Sequence, residues 1–449
     1  MSREQLLDLL RGALSTADAD GTEIVAITSD EALTWYAENI IHQNVAAHTA
    51  QISVRAVVGK QVGSASTTDL TLEGIQRTIQ SASDAARLMP EDPDFPGLPL
   101  PQTVQETDVG YVPATVASQP GERAAAVRSV IDGAEHAGLR AAGTYLVQSN
   151  ELAVVSTTGV AAFHRDTMAS LKAVVMGDDS SGYGYVSSSD VADIDPLATG
   201  QRAVQTAMET RNPMDVEPGP YDVVLSPWAV DELMKMMAFH ALSARSIEEH
   251  TSFLDGRQGE HLVSPLISLY DDGLDPTGLP LPFDYEGQPK QRVDFISQGV
   301  AGDVVYDTYY AKKAGRASTG HSLQQPNDFG PVPLNFFMAA GESAEEEMVA
   351  HTERGIYVTR FWYANVVEPR QMTVTGMTRD GTYLIENGRR TRGIRNLRFT
   401  QSLVEMLKST LEVGRDRSIL ASGFGVGGMV LPSLRVQAFH FTGATKKSQ

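Results

Sequence analysis

The 449-residue chain contains no cysteine. That absence excludes disulfide bridges, thiolate nucleophiles, cysteine-bearing zinc sites and cysteine-ligated iron–sulfur clusters. Long apolar runs are missing as well: nothing approaches the roughly 18 residues needed to cross a bilayer. The opening MSREQLLDLLRGALSTADADG interleaves charges with its leucines and reads as an amphipathic helix rather than a leader. The expectation is a soluble, cytoplasmic protein with no membrane partner. Positive charge is scarce too, 36 Lys plus Arg against 56 Asp plus Glu, a net of −20. Nucleic-acid affinity comes largely from Lys and Arg displacing counterions, so nucleic acid is not an expected partner. The chain also lacks GxxxxGK[ST], GxSxG and HExxH, the short signatures of phosphate cradles, nucleophile elbows and zinc helices.

What is present is ordinary globular composition, 42% hydrophobic and 20% charged. The length suits two or three domains. The acidic excess is uneven: 13 basic and 28 acidic residues up to Asp215, a net of −15, against 23 and 28 beyond it, a net of −5. Backbone-interrupting residues cluster at the same place, Arg211-Asn212-Pro213 and Pro218-Gly219-Pro220. The boundary is therefore placed between a domain of residues 1–215 and one of residues 216–449.

Patterning predicts an α+β fold. The first half reads as mixed: a helix carrying Leu6, Leu7, Leu10 and Leu14, a strand meander from Glu23 to Thr67, and a helix with Ile75, Ile79, Ala82 and Ala86 on one face. Further helices are expected near Glu122–Gly138 and Pro196–Thr210, with SGYGYVSSSDVADIDP as a loop or exposed strand end. The second half reads as predominantly β, with one long helix from Pro227 to about Ser246 and a short one over Leu403–Leu411. Proline suits a first helical position, where its missing amide donor costs nothing.

The densest polar cluster lies on and after that long helix: His240, Glu248, Glu249, His250, Arg257, Glu260 and His261. Zinc on a helix needs two imidazoles about one turn apart plus a third ligand and an acid–base carboxylate. His240 and His250 are too far apart in sequence to share one helical face as a tight pair. A fortuitous polar cluster is the better reading from residues alone, although Glu249, His250, Glu260, His261, His321 and His351 remain candidates for a site assembled by folding. GRASTG (Gly315–Gly320) reads as a turn before an anion cradle. The run Gly423-Phe424-Gly425-Val426-Gly427-Gly428 lacks the helix a dinucleotide site requires. Arginines 389, 390, 392, 395 and 398 read as a solvated or subunit-facing surface.

Several blocks, in order, resemble the TldD/PmbA family of metallopeptidases and their partner subunits. They are Thr251-Ser252-x-x-x-Gly256-Arg257-x-Gly259-Glu260, LVSPLISLYDDG (Leu262–Gly273), GIYVTRFWYANVVEP (Gly355–Pro369), TYLIENGRRTRGIRNLRF (Thr382–Phe399) and LPSLRVQAFHFTG (Leu431–Gly443). The resemblance implies a dimer enclosing a cavity in which unfolded or modified peptides are cleaved, one subunit supplying zinc. It also implies HExxxH on the long helix and a late cysteine in catalytic members. Aligning the Thr-Ser…Gly-Arg loop without gaps puts Lys235 and Met236 at the first histidine and the glutamate, and His240 at the second histidine. No cysteine exists to complete the site. The resemblance thus implies the zinc-lacking TldE/PmbA branch: no catalytic or metal residues in this chain, a degenerate zinc helix (Lys235, Met236, His240), no cofactor of its own, and a TldD-like catalytic subunit or a second copy as partner. Thr251, Ser252, Gly256, Arg257 and Glu260 are then the candidate peptide-binding residues. His240, between Phe239 and Ala241, is expected to be buried and hydrogen-bonded. Lys235 is expected to offer a cation to a substrate carboxylate or an internal acid. A hydrolase with a relocated site, drawn from His240, Glu249, His250, Glu260, His261, His321 and His351, and a homodimeric peptide-binding protein are the competing readings.

Overall fold

The computed structural model describes residues 1–105, 107–422 and 426–444. The glycine-run reading at Gly423, Phe424 and Gly425 falls outside them. Six antiparallel strands build the first sheet: β1 (Gly21–Ala37), β2 (Ile40–Val58), β3 (Gln61–Thr67), β4 (Arg140–Ser156), β5 (Ala161–Met176) and β6 (Ser181–Ser188), in the order β3-β2-β1-β4-β5-β6. The meander of β1, β2 and β3 appears because these strands return through short turns, Glu38 and Asn39 taking positive φ between β1 and β2. Of the two readings for the segment from Ser181, loop or exposed strand end, the strand forms: β6 is half-buried rather than exposed, pleated against β5 and tied to the second half by the Ser187 hydroxyl donating to Ile419 O (2.8 Å). Its small polar residues concealed that burial because Gly182 and Gly184 lie hard against a helix backbone where a Cβ would clash.

Helices cover this sheet. They are α1 (Arg3–Leu14), α2 (Leu72–Leu88), α3 (Pro120–His136) and α4 (Pro196–Glu209). Their starts follow their caps: Ser2 accepts from Gln5 N, Thr71 from Gly74 N and Asp195 from Ala198 N. One apolar core lies under α1 and α2 (Leu6, Leu10, Ile24, Ile75, Ile79) and another under α3 and α4 (Val127, Ile131, Leu171, Ala203).

The second sheet has eleven strands. They are β7 (Gly219–Leu225), β8 (Leu269–Asp271), β9 (Val293–Ser297), β10 (Val300–Ala301), β11 (Asn335–Met338), β12 (Arg354–Glu368), β13 (Thr373–Glu386), β14 (Arg389–Gly393), β15 (Leu397–Ser402), β16 (Thr410–Ala421) and β17 (Gly428–Ala444). Because β7 pairs both with β12 (parallel) and with β17 (antiparallel), the strands β17-β15-β13-β12-β7 close into a ring. Against β12 and β17 packs α5 (Pro227–Ala241). The expected helix to Ser246 breaks at Leu242. There the Ser252 hydroxyl donates to Ala241 O (2.6 Å), and Ser243 caps a separate short helix, α6 (Ala244–Glu248). Two more short helices, α7 (Thr308–Lys313) and α8 (Glu345–Ala350), add to the expected one, α9 (Leu403–Lys408).

The halves share a core. Val25, Leu152, Val154 and Ala162 of the first sheet bury against Leu281, Phe283, Tyr285 and Leu334 of the second half. Phe283 is fully buried there, a burial worth ~1.5–3 kcal/mol for such a side chain. No helix among the described residues is long and apolar enough to cross a membrane.

Candidate functional site

On α5, Trp228, Ala229, Val230, Leu233, Met234, Met237, Ala238 and Ala241 are buried in the large second-half core. The five residues Glu232, Lys235, Met236, Phe239 and His240 are only partly buried or exposed. Their spacing, i, i+3, i+4, i+7, i+8, is a single helical stripe, so the helix has one open face. All three positions aligned with HExxxH fall on it.

The side chains there do not form a metal site. Lys235 Nζ pairs with Asp231 Oδ2 at 2.5 Å, one helical turn back. Of its two expected partners, Lys235 therefore holds the internal acid. Asp231 Oδ1 is buried with no hydrogen-bond partner among the described residues. Burial raises the Asp231 carboxyl, and Lys235 only partly pulls it back. Met236 brings a thioether. His240 corrects the expectation of a buried, hydrogen-bonded imidazole: it is exposed and makes no hydrogen bond among the described residues, and partial desolvation holds its pKa below the ordinary value. The neighbouring Phe239, on the same stripe, is partly buried and lies edge-on to Phe329 at 6.2 Å. No group of three or more His, Cys, Asp or Glu among the described residues is placed to hold a metal ion. An ammonium, a thioether and one imidazole are not a zinc donor set, so the zinc implied for catalytic relatives does not fit here.

The loop after α6 divides into a buried stem and an exposed tip. Thr251 is half-buried, its hydroxyl donating to Ser246 O (3.3 Å), and Ser252 is buried and committed to closing α5. Gly256 and Gly259 adopt φ of +70° and +84°, conformations that favour glycine. They hold an exposed tip on which Arg257 Nε donates to Glu260 Oε2 (2.9 Å). Folding thus brings Gly256, Arg257 and Glu260 together at the surface and keeps Ser252 apart from them.

The histidines named for a relocated site stay separate. His250 pairs with Asp255 (2.7 Å), His351 with Glu412 (3.2 Å), and His261 bridges Val300 through its backbone. His321 is fully buried, with Nε2 at 2.9 Å from Asp271 Oδ1 and Nδ1 at 2.9 Å from Thr319 Oγ1. Glu249 accepts from Arg245 Nε (2.7 Å). GRASTG is a turn, with Arg316 paired to Asp303 and Gly320 N donating to Ser318 Oγ. Of the arginine group, 389, 390 and 392 are exposed on β14, and Arg390 stacks over Tyr357 at 4.7 Å.

One constellation went unseen in the sequence. Arg55 of β2 lies between Glu23 (3.0 Å) and Glu286 (2.9 Å), all three buried, with Asp307 close by. Glu23 stands directly opposite Arg55 in the β1–β2 register. Burial pushes the Glu23 carboxyl up to about 7, the Arg55 attraction opposing it and Glu286 adding to it.

Comparison with known proteins places these features in context. The model for the PmbA/TldA metallopeptidase C-terminal domain matches residues 218–443, and that for PmbA/TldA metallopeptidase domain 1 matches residues 22–86. The chain is 27% identical over 239 residues to a metalloprotease TldD homolog of Haemophilus influenzae, a match covering 53% of this chain and 49% of that protein. It therefore spans about half the length of that relative. It is 24% identical over 402 residues to metalloprotease PmbA of Escherichia coli O157:H7, covering 83% of this chain and 82% of that protein. The crystal structure of TldE from Thermococcus kodakarensis superposes with a TM-score of 0.88 at 21% identity, covering 98% of this chain and 100% of that one, a likeness of fold.

Proposed function

This chain belongs to the PmbA/TldD metallopeptidase family, and on that premise we propose that it is the zinc-free partner subunit of a heterodimeric TldD/TldE-type peptidase. In this reading it acts in the cytoplasm, with residues 1–215 and 216–449 as its two domains. A TldD-like subunit supplies the zinc, and this chain completes an enclosed chamber for unfolded or modified peptides. An extended peptide pairs with strand edges through main-chain hydrogen bonds, which gives weak sequence preference.

The observation that carries the reading is the open face of α5. The helix and its following loop persist, yet Lys235 and Met236 stand at the first histidine and glutamate positions, Lys235 tied to Asp231. A thioether does not activate water. The exposed Gly256–Glu260 tip, with Arg257 and Glu260 at its surface, is the part of the loop assigned to peptide contact.

Two measurements test this. Metal content by mass spectrometry of the purified chain is expected to show no stoichiometric zinc and no peptide cleavage; zinc at one per chain with cleavage overturns the proposal. Co-expression with a HExxxH-bearing family member is expected to yield a 1:1 complex by light scattering. A stable homodimer that ignores that partner favours a peptide-binding protein instead.

A further inference from the structure

Between the two halves lies a cavity of about 530 Å³, a size suited to one amino-acid-sized group. Its charge is one-sided. Asp92, Glu249, Glu286, Asp307 and Asp328 line it against two arginines, Arg55 and Arg245. Both arginines are already engaged, Arg55 by Glu23 and Glu286, Arg245 by Glu249. Asp92, Asp307 and Asp328 have no ion-pair partner among the described residues.

Asp307 is the pivotal group because it is 2% exposed yet faces this space. Its Oδ1 accepts from Tyr310 N (2.8 Å), capping α7. Its Oδ2 accepts no hydrogen bond from another residue among the described residues. Burial, reinforced by Glu286, pushes this carboxyl up to about 7. A buried carboxylate normally has its lone pairs met by donors or a cation. Here the missing donor has a cavity to arrive through.

The wall beside it is aromatic. Tyr309 and Tyr310 pack edge to face at 5.3 Å, and aromatic faces attract cations. Lys313 illustrates the preference, its ammonium 5.4 Å from the Tyr309 ring centroid. That lysine is held by Glu248 and Asp94 and is not among the cavity-lining residues.

We infer that this cavity binds a cationic group of a peptide, a guanidinium or primary ammonium seated on Asp307 Oδ2 between the tyrosine rings and the neighbouring carboxylates. The inference takes the peptide from the function proposed above. The binding event needs neither partner subunit nor metal, so each idea fails in a different experiment.

The test is calorimetric titration of the full-length chain alone, in low salt, with N-acetyl-arginine amide and N-acetyl-lysine amide. Saturable binding is expected, with the neutral isostere N-acetyl-citrulline amide weaker by at least about tenfold, the loss of one charge-assisted contact. Glycinamide separates the two sources of charge: competition by it assigns the site to a peptide amino terminus, and its failure assigns the site to a basic side chain. Asp307→Asn keeps an oxygen for the α7 cap and is expected to weaken binding about tenfold, and Asp328→Asn about threefold, at unchanged thermal stability or better. Equal binding of citrulline and arginine derivatives, no saturable binding by any cationic probe, or preferential binding of N-acetyl-glutamate amide on the arginines overturns the inference. So does an Asp307→Asn chain that is folded and binds as before.

Discussion

Two buried carboxylates, one in each of two polar clusters, end in opposite states. Asp271 is fully buried, and its oxygens take Lys290 Nζ (3.4 Å), His321 Nε2 (2.9 Å) and Asn335 N (2.7 Å). Burial alone would raise its pKa, but Lys290, His321 and the hydrogen bonds outweigh it and hold the carboxyl below its ordinary value. Asp307 is buried almost as deeply with one backbone donor and no ion-pair partner, and it sits near 7. Depth is therefore not what separates them. The difference lies in how many lone pairs the fold satisfies, and it divides a closed structural cluster from one that faces a cavity.

The comparison breaks first at Asp271. Replacing it by alanine strands Lys290 and His321, both fully buried, and leaves Asn335 N without its acceptor. The expected loss is about 3–5 kcal/mol of unfolding free energy, typical of removing one partner from a buried pair. Urea denaturation at pH 7 measures it; a loss below about 1 kcal/mol would mean the cluster relaxes and is not closed. Because this carboxyl is depressed in the folded chain, its contribution is present above the unfolded value near 4 and is lost as pH falls through the folded one.

Asp307 is expected to behave with the opposite sign. Its raised carboxyl binds the proton more tightly in the folded chain. Its contribution is therefore full below the unfolded value near 4 and declines as pH climbs to about 7. Asp307→Asn removes that decline, so the variant gains roughly 1–3 kcal/mol over the parent at pH 7.5 and shows a flatter stability profile between pH 4 and 7. Glu23, also near 7, leaves a residual slope. A destabilised variant at pH 7.5 would show that the fold already satisfies Asp307.

The same contrast explains what the sequence disclosed. Local signals were legible: Pro227 marked the start of α5, Ile75, Ile79, Ala82 and Ala86 marked the buried face of α2, and Glu23–Thr67 read as a strand meander. Asp231 and Lys235 stand at i, i+4 and were open to pairing by inspection. Interactions made by distant segments were not. Arg55 and Glu286 are 231 residues apart, and nothing along the chain announces that β2 meets that loop. The end of α5 was misplaced because Ser252, eleven residues beyond Ala241, closes it. His240 was misjudged because its neighbours in sequence are apolar, whereas exposure on a helix follows the i, i+3, i+4 stripe. The family blocks located the degenerate helix, but its ion pair and open face required the fold.

Asp231 supplies the intermediate case and the smallest expected effect. It is buried, holds one cation at 2.5 Å through Oδ2 and leaves Oδ1 unmet. It thus stands between the fully satisfied Asp271 and the uncompensated Asp307, and its pKa is raised by burial against the pull of Lys235. In Lys235→Met the pull disappears while the aliphatic stem is retained. Because a third of the Lys235 side chain is exposed, solvent already screens the pair, and the expected cost is only about 1 kcal/mol. The sign of its pH dependence is the sharper readout. With Lys235 gone the Asp231 carboxyl rises further, so the variant's deficit should be smaller at pH 5 than at pH 8. Thermal melts at the two pH values check this. A deficit that is the same at both would mean that Lys235 acts through packing on the open face of α5 and that its charge has no part in holding Asp231.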